Sequence, residues 1–431
     1  MEVFSPFDNV FFQKNKVRLY GGDKSTYDII NDFLENNQSD QAFFIVDLGE
    51  ITKAYNNWIK WLPDVKPYYA VKCNPNVVLL ETLSNLGCNF DCASENEIKT
   101  IIQITDDSSR IIFANPCKMS SQIRYARAND VDLMTFDCEE ELYKIKLYHP
   151  YAKLILRLAV DDSKSACKFN CKFGCKLAEV EKILTIVKTL KLDIIGFSFH
   201  VGSSCSSADN FYYAISDCKT AREIAKKMNI TITTIDIGGG FPGVDKLISF
   251  EDIAIRVNDG IRDFFLDDVR DKKIQFISEP GRYFAQTSHI LVLNVIGKKI
   301  IYDTNIKNTI EMSQVTEVKD VTEVTQVKEE GNDKKIIYYL NDGVYGSFNC
   351  IFFDHNNPII LPFNERKEKL YKTTIFGPTC DSIDLISEDV LLPELAIGEW
   401  VYVEDFGAYT AASSSSFNGF KTNICNYIFK S

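Results

Sequence analysis

The sequence has no run of apolar residues long enough to cross a membrane, so a membrane partner is not expected. Its opening, MEVFSPFDNVFFQKN, lacks the basic start, apolar core and small-residue cleavage site of a secretory leader. A cytoplasmic protein with its thirteen cysteines as reduced thiols is expected. Cations are in deficit: 48 Lys and Arg stand against 60 Asp and Glu, a formal net charge of -12. A nucleic-acid face needs clustered Lys and Arg, so that class of partner is not expected. The one regular cysteine cluster, CKFNCKFGC, spaces Cys167, Cys171 and Cys175 four apart. That is not the CxxC spacing of zinc or iron–sulfur sites, and it reads as three thiols in a basic loop with no metal.

What is present is an ordinary globular composition, 45% hydrophobic and 25% charged, over 431 residues. That length suits two domains, or one barrel-sized domain with an addition. From Pro67 to about Tyr283, short apolar runs alternate with longer amphipathic ones. The short runs are YYAV, NFDCA, RIIFAN, DLMTF, KLILRLA, IIGFSFHV, TTIDIGG and IQFISEPG. Segments such as NVVLLETLSNLG and NFYYAISDCKTAREIAKKM separate them, with apolar residues three and four apart. A doubly wound open sheet gives similar alternation, but eight strand–helix units favour an α/β (β/α)8 TIM-type barrel, set at residues 46–286. After Tyr283 the runs turn β-rich without long helices, predicting a mostly antiparallel β-domain from residues 1–45 with 287–431. The first forty residues, with strand-like NVFFQ, join it, and the charged stretch 306–335 reads as a mobile surface excursion.

The barrel reading makes the strand ends matter. Lys72, Asp91, Asn115, Arg157, His200, Gly238 and Glu279 all fall where the runs stop, on the rim that carries active sites in this architecture. Lys72, after PYYAV, reads as a buried lysine, which is costly unless it is paired, neutral or used covalently. DIGGGFPG supplies Gly238, Gly239 and Gly240, whose backbone can approach a phosphate closely; alone it is equally a structural turn. SEPGRYF sets Glu279 and Arg282 either side of Pro280 and Gly281, a carboxylate for a ring N–H and a guanidinium for phosphate, or simply a local ion pair. FHVGSSC adds His200, a flat ring for stacking, with Ser203 behind it. An imine-forming lysine, a phosphate cradle and an acid for a ring nitrogen together suggest pyridoxal 5'-phosphate.

These motifs, with FDCASENEI, NDGVYGSFNCIFFDH, GPTCDSID and FGAYTAASSSSFNGF, closely resemble the eukaryotic ornithine decarboxylases, an alanine-racemase-like group of pyridoxal-phosphate enzymes. The resemblance runs over nearly the whole chain and implies a barrel plus a β-domain. It implies that Lys72 bonds the cofactor aldehyde, His200 stacks on its ring and Glu279 holds its nitrogen. Ser203, Gly240, Gly281, Arg282 and Tyr409 correspond to the phosphate positions. Cys380 corresponds to the proton donor, and Asp354 and Asp381 to the acids for the substrate's distal ammonium. Asp91, Glu97, Arg157 and Phe417 match pocket positions. L-ornithine is the implied substrate and putrescine the product. A head-to-tail homodimer is implied, with Cys380 and Asp381 entering the partner's site. Two departures stand out: Phe353 replaces a pocket tyrosine, and the chain ends at Ser431 without the tail that marks some animal members for rapid turnover. A non-catalytic homologue of the antizyme-inhibitor kind is the alternative, as is a decarboxylase of a related amino acid such as lysine.

Overall fold

Each apolar run stops at a polar or glycine turn after three to six residues, too short for a helix, and each pairs in parallel with its neighbours. The computed structural model describes residues 7–36, 39–167, 171–302, 334–364 and 368–431. Nearly all of the charged stretch 306–335 lies outside the described residues. The eight strands are β1 (Val65–Ala70), β2 (Asn89–Cys92), β3 (Ile111–Phe113), β4 (Leu133–Phe136), β5 (Lys153–Arg157), β6 (Asp193–Ser198), β7 (Thr234–Asp236) and β8 (Gln275–Ser278). They close into a barrel in chain order, with β8 returning to β1 so that Phe276 lies opposite Val65. The expected (β/α)8 architecture is therefore present.

Local chemistry starts and stops the helices between them. Val77–Leu86 opens on Asn76, whose side chain accepts from the N–H groups of Val78 and Leu79. It ends at Gly87, whose φ of +93° a β-carbon would disfavour. Ser94 and Ser249 cap Glu95–Thr105 and Phe250–Arg270 in the same way. The helix that completes the outer ring comes before the barrel: Leu48–Trp61 packs between Phe250–Arg270 and Val77–Leu86. Its Trp58 is fully buried, donates from Nε1 to the Val65 carbonyl at 2.9 Å and stacks on Phe250 at 5.5 Å.

The β-domain is built on β9 (His289–Tyr302). This strand pairs antiparallel with Phe43–Asp47, with β10 (Lys334–Leu340) and with Trp400–Val403. Beyond β10 lie Leu370–Phe376 and then Leu385–Pro393, while Ile424–Lys430 and Arg18–Tyr20 extend the other edge in parallel. The sheet is mostly antiparallel, as expected. NVFFQ is not a strand: Asn9–Lys14 is a helix, because Asp8 accepts the Phe11 N–H at 2.8 Å. Phe7 and Phe12 then pack against Phe429, and Phe11 stacks on Phe7.

If Trp58 locks the last helix onto the barrel, Trp58→Ala lowers stability by about 3–5 kcal/mol, read as a fall in urea midpoint. A loss under about 1 kcal/mol would show that the ring closes without it.

Candidate active site

Barrel closure gathers the strand-end charges at one mouth. Lys72 follows β1 in a turn of 3-10 helix, Val71–Cys73, and its Nζ donates to Asp91 Oδ2 at the end of β2, 2.9 Å away. It is not buried: 45% of its side chain is accessible, whereas Asp91 is only 2% exposed. The pairing rather than burial accounts for its state. Partial burial works against the ammonium, but the negative Asp91 and Glu279 outweigh it and hold Lys72 above its usual range.

Glu279 follows β8, and its N–H donates to the Gly238 carbonyl at 2.7 Å. Low solvation, then the negative charges of Asp236 and Asp91, push its carboxyl well up. Arg157, at the end of β5, faces Glu279, Asp137, Asp236 and Asp91; burial pulls its guanidinium down from the usual arginine value. His200 accepts the Gly202 N–H at Nδ1, 3.0 Å, which leaves the ring proton on Nε2. Burial, Arg157 and Lys72 depress it, so the ring is neutral at physiological pH. Glu97 accepts the Ala93 N–H at 2.6 Å and is pushed up by burial.

The glycines are there for closeness. Gly238 has φ +64° and Gly240 φ +107°. A β-carbon on Gly239 would lie 2.7 Å from the Glu279 carbonyl and 3.0 Å from His200 Nε2, and one on Gly281 would lie 2.8 Å from Cys73 Cβ. Pro280 receives the Ala70 N–H at its carbonyl, 3.1 Å, joining this turn to β1.

Arg282 reaches across to the β-domain. It donates to Asp354 Oδ1 at 2.6 Å and to Ser203 Oγ at 3.3 Å, and its guanidinium lies 5.1 Å over the Tyr409 ring. Its Nε is buried with no partner in the structure. A cavity of about 410 Å³ opens on this side, lined by Arg282, Asp354, Ser204, Pro242 and Lys246 among others. Tyr409, in the left-handed region at φ +56°, donates its N–H to the Cys73 carbonyl at 3.0 Å. Asn74 fastens the same junction, donating to the Gly407 carbonyl at 2.8 Å and meeting His289 Nε2 at 3.2 Å. Burial holds His289 down at about 3, so it accepts as a neutral ring.

The remaining expected residues lie elsewhere. Cys380 is exposed, its N–H donating to Asn418 Oδ1 at 3.0 Å. Asp381 accepts from the Tyr345 hydroxyl, which helps to keep its carboxyl below the usual range. Phe417 stacks on Tyr345 at 4.3 Å, and Phe353 is 71% exposed. Val344, Tyr345, Phe352, Phe353, Ile383 and Phe417 line a separate groove of about 580 Å³ in the β-domain. None of the described contacts joins Cys380 or Asp381 to the Lys72 group. Asn115 also stays apart, bonding locally to the Cys117 N–H. Two further residues belong to the site: Asp236, the first letter of the DIGGGFPG motif, and Asn74, two residues after Lys72. An acid two residues before a tight glycine turn was the available signal for Asp236.

A flat group with an aldehyde, a ring nitrogen and a phosphate fits these residues. The amine, the two facing acids, the neutral ring, the crowded glycines and an arginine with an unpaired Nε are all on one mouth. Residues 48–286 match the family described as pyridoxal-dependent decarboxylase, pyridoxal binding domain. The chain belongs to the pyridoxal-dependent decarboxylases. Its cofactor is pyridoxal phosphate. It is 43% identical over 405 residues to antizyme inhibitor 2 of Xenopus laevis and 41% identical over 402 residues to ornithine decarboxylase of Mus musculus, spanning 93% of this chain and 83% of each relative. The arginine decarboxylase of Paramecium bursaria Chlorella virus, solved bound to agmatine, matches with a TM-score of 0.82 and 34% identity over 94% of this chain and 100% of that one.

Gly239→Ala is expected to weaken pyridoxal phosphate binding at least about tenfold, since overpacking against a fixed carbonyl costs about 1–3 kcal/mol. Titration of the apoprotein with cofactor, followed by absorbance, measures it; an unchanged affinity would mean that the glycine is not needed for close approach.

Proposed function

We propose that this decarboxylase acts on L-ornithine, releasing carbon dioxide and putrescine as a step of polyamine synthesis in the cytoplasm. The observation that carries the reading is the convergence of Lys72, Glu279, His200 and Arg282 on one mouth. Identity of about 40% to ornithine decarboxylases supports the substrate. Pyridoxal phosphate supplies an aldehyde that condenses with amines and a ring that takes up the electron pair left by decarboxylation.

The chain's own residues bind, orient and move protons. Lys72 would be the amine that holds the aldehyde, oriented by its hydrogen bond to Asp91. Glu279 would accept from the ring nitrogen, and the neutral His200 would cover the ring face. Gly238, Gly239, Gly240, Gly281, Ser203, Arg282 and Tyr409 would hold the phosphate. Pro280, Glu97 and Arg157 keep these groups in place. Asp354 and Asp381 attract the distal ammonium, and two acids there oppose a substrate that ends in a second carboxylate. Phe353 leaves an apolar wall in place of the family tyrosine. Cys380 gives its thiol proton to the α-carbon.

In this proposal residues 46–286 bind cofactor, while 1–45 with 287–431 supply substrate and dimer contacts. Cys380 and Asp381 stand on an exposed edge beside an apolar groove lined by Phe353 and Phe417, away from Lys72. A second copy, docked head to tail, brings them to its neighbour's mouth. The antizyme-inhibitor relative favours a second reading, a non-catalytic regulator that binds antizyme. The presence of Lys72, Glu279, Cys380 and Asp381 together argues for catalysis.

Carbon dioxide release from ornithine, lysine, arginine and diaminopimelate, measured side by side, tests the substrate. Ornithine is expected to have the highest kcat/KM, with lysine lower by about 10–200-fold for its extra methylene. Lys72→Ala abolishes turnover; near-normal release by this variant, or none by the wild type, defeats the catalytic reading.

Mixing inactive Lys72→Ala with inactive Cys380→Ala subunits should restore about a quarter of wild-type turnover, since half of the dimers then hold one intact site of two. No recovery despite demonstrated subunit exchange means that each site is built within one chain.

A further inference from the structure

Asp236 ends β7 with its side chain fully buried. Its Oδ1 accepts the Gly238 N–H at 2.9 Å, while its Oδ2 is buried and receives no N–H or O–H from any neighbour. The Glu279 carboxyl projects from the neighbouring strand end, close enough for each acid to act on the other's ionisation. Their closeness is enforced from both sides: β7 and β8 pair with Asp236 opposite Ile277, and the Gly238 carbonyl receives both the Glu279 N–H and the Ser278 hydroxyl at 2.7 Å. Two buried carboxyls this close cannot both be ionised, and a proton between them satisfies the otherwise unpartnered oxygen.

We propose that Asp236 and Glu279 share a single proton, and that Asp236 is a positioning residue that takes this proton when Glu279 meets a cation. The second half rests on the cofactor reading above. The proton moves only within the pair, from Glu279 to Asp236, so nothing is gained or lost. Asp236 then donates to one Glu279 oxygen and leaves the other, as an anion, for the ring N–H. Glu279 is the half that ionises because it is partly open to the mouth and faces the Lys72 ammonium, whereas Asp236 is sealed. The other charged or titratable groups facing the pair are Asp91 from β2, Arg157 from β5, the Tyr68 hydroxyl from β1 and the Cys218 thiol from the helix Asp209–Lys227, with neutral His200 after β6 on the glycine side.

Burial raises both carboxyls above their ordinary values. A raised acid holds its proton in the folded state after the unfolded chain has lost it, so its stabilisation is present at low pH and drains away as pH rises towards the folded value. Asp236→Asn keeps the geometry: the amide oxygen takes the Gly238 N–H and the amide nitrogen donates to Glu279 without titrating.

Urea unfolding of the apoprotein between about pH 5 and pH 8 reads the shared proton, since each unit of pH in the window changes the folding constant by up to about tenfold per proton. Asp236→Asn and Glu279→Gln should each flatten this slope relative to wild type, and the double variant should flatten it no further. A slope unchanged in both single variants, or additive flattening in the double, overturns the shared proton. Pyridoxal phosphate titration of the same apoproteins reads the positioning role: Asp236→Asn should bind within about threefold of wild type and Asp236→Leu at least about tenfold more weakly, as expected when a buried acid loses its only donor. Equal loss in both variants overturns it. Failure of the wild type to bind cofactor would instead defeat the cofactor reading, leaving the apoprotein slopes to decide the shared proton.

Discussion

The site is organised by an imbalance of charge. Among the described residues, barrel closure brings the carboxyls of Asp91, Asp236 and Glu279 together with two cations, Lys72 and Arg157. Burial makes Asp236 and Glu279 costly to ionise there, and the cations do not compensate both. Asp91 is settled by its direct bond to Lys72. The remaining two acids then compete for Arg157 and for whatever cation enters the mouth. A positively charged ring nitrogen is the complement to that deficit, which is a physical reason for this pocket to favour pyridoxal phosphate. The same deficit sets the state of Lys72, whose ammonium is favoured by acids on two sides although water reaches it.

That arrangement depends on the junction between barrel and β-domain. Asn74 and Cys73, in the turn after Lys72, are bonded to Gly407 and Tyr409 of the β-domain. The segment carrying Lys72 is therefore held from two sides: by the Ala70 bond to Pro280 within the barrel and by the Asn74 bond to Gly407 across the junction. Tyr409 pays a positive φ to reach this position, and its ring in turn supports Arg282 from beneath. A shift of the β-domain would move the lysine and the arginine together.

The barrel was legible in the sequence because its signal is repeated eight times: a short apolar run, a polar stop, an amphipathic stretch. The helix that closes the ring was less so, since Leu48–Trp61 precedes β1 and no pattern says which end of the barrel it serves. Asn9–Lys14 misled because Phe11 and Phe12 have strand-like composition, while one cap at Asp8 decides the outcome. For the site, strand-end residues with strong chemistry were found, but burial was misjudged. Lys72 is accessible; among the described residues the buried lysine is Lys118, sealed against Glu141 at 3.0 Å and the Thr135 carbonyl at 2.6 Å. Proximity between carboxyls on different strands, such as Asp236 and Glu279, is a property of barrel closure and has no trace in spacing along the chain.

The Arg282–Asp354 ion pair brings together two groups proposed for different ends of the ligands, a phosphate and a distal ammonium. They are compatible because a guanidinium has five N–H donors in a planar fork. Asp354 and Ser203 both engage Nη2, and Nε remains buried without a partner. An anion seated on the Nε side therefore need not displace Asp354. Asp354 in turn keeps acceptor capacity, since a carboxylate has about four lone-pair positions and Arg282 occupies one. In the proposed assignment the pair would lie between an anionic and a cationic ligand position, with opposite charges alternating across the mouth. In that arrangement each ligand charge strengthens its neighbour's binding rather than competing for it.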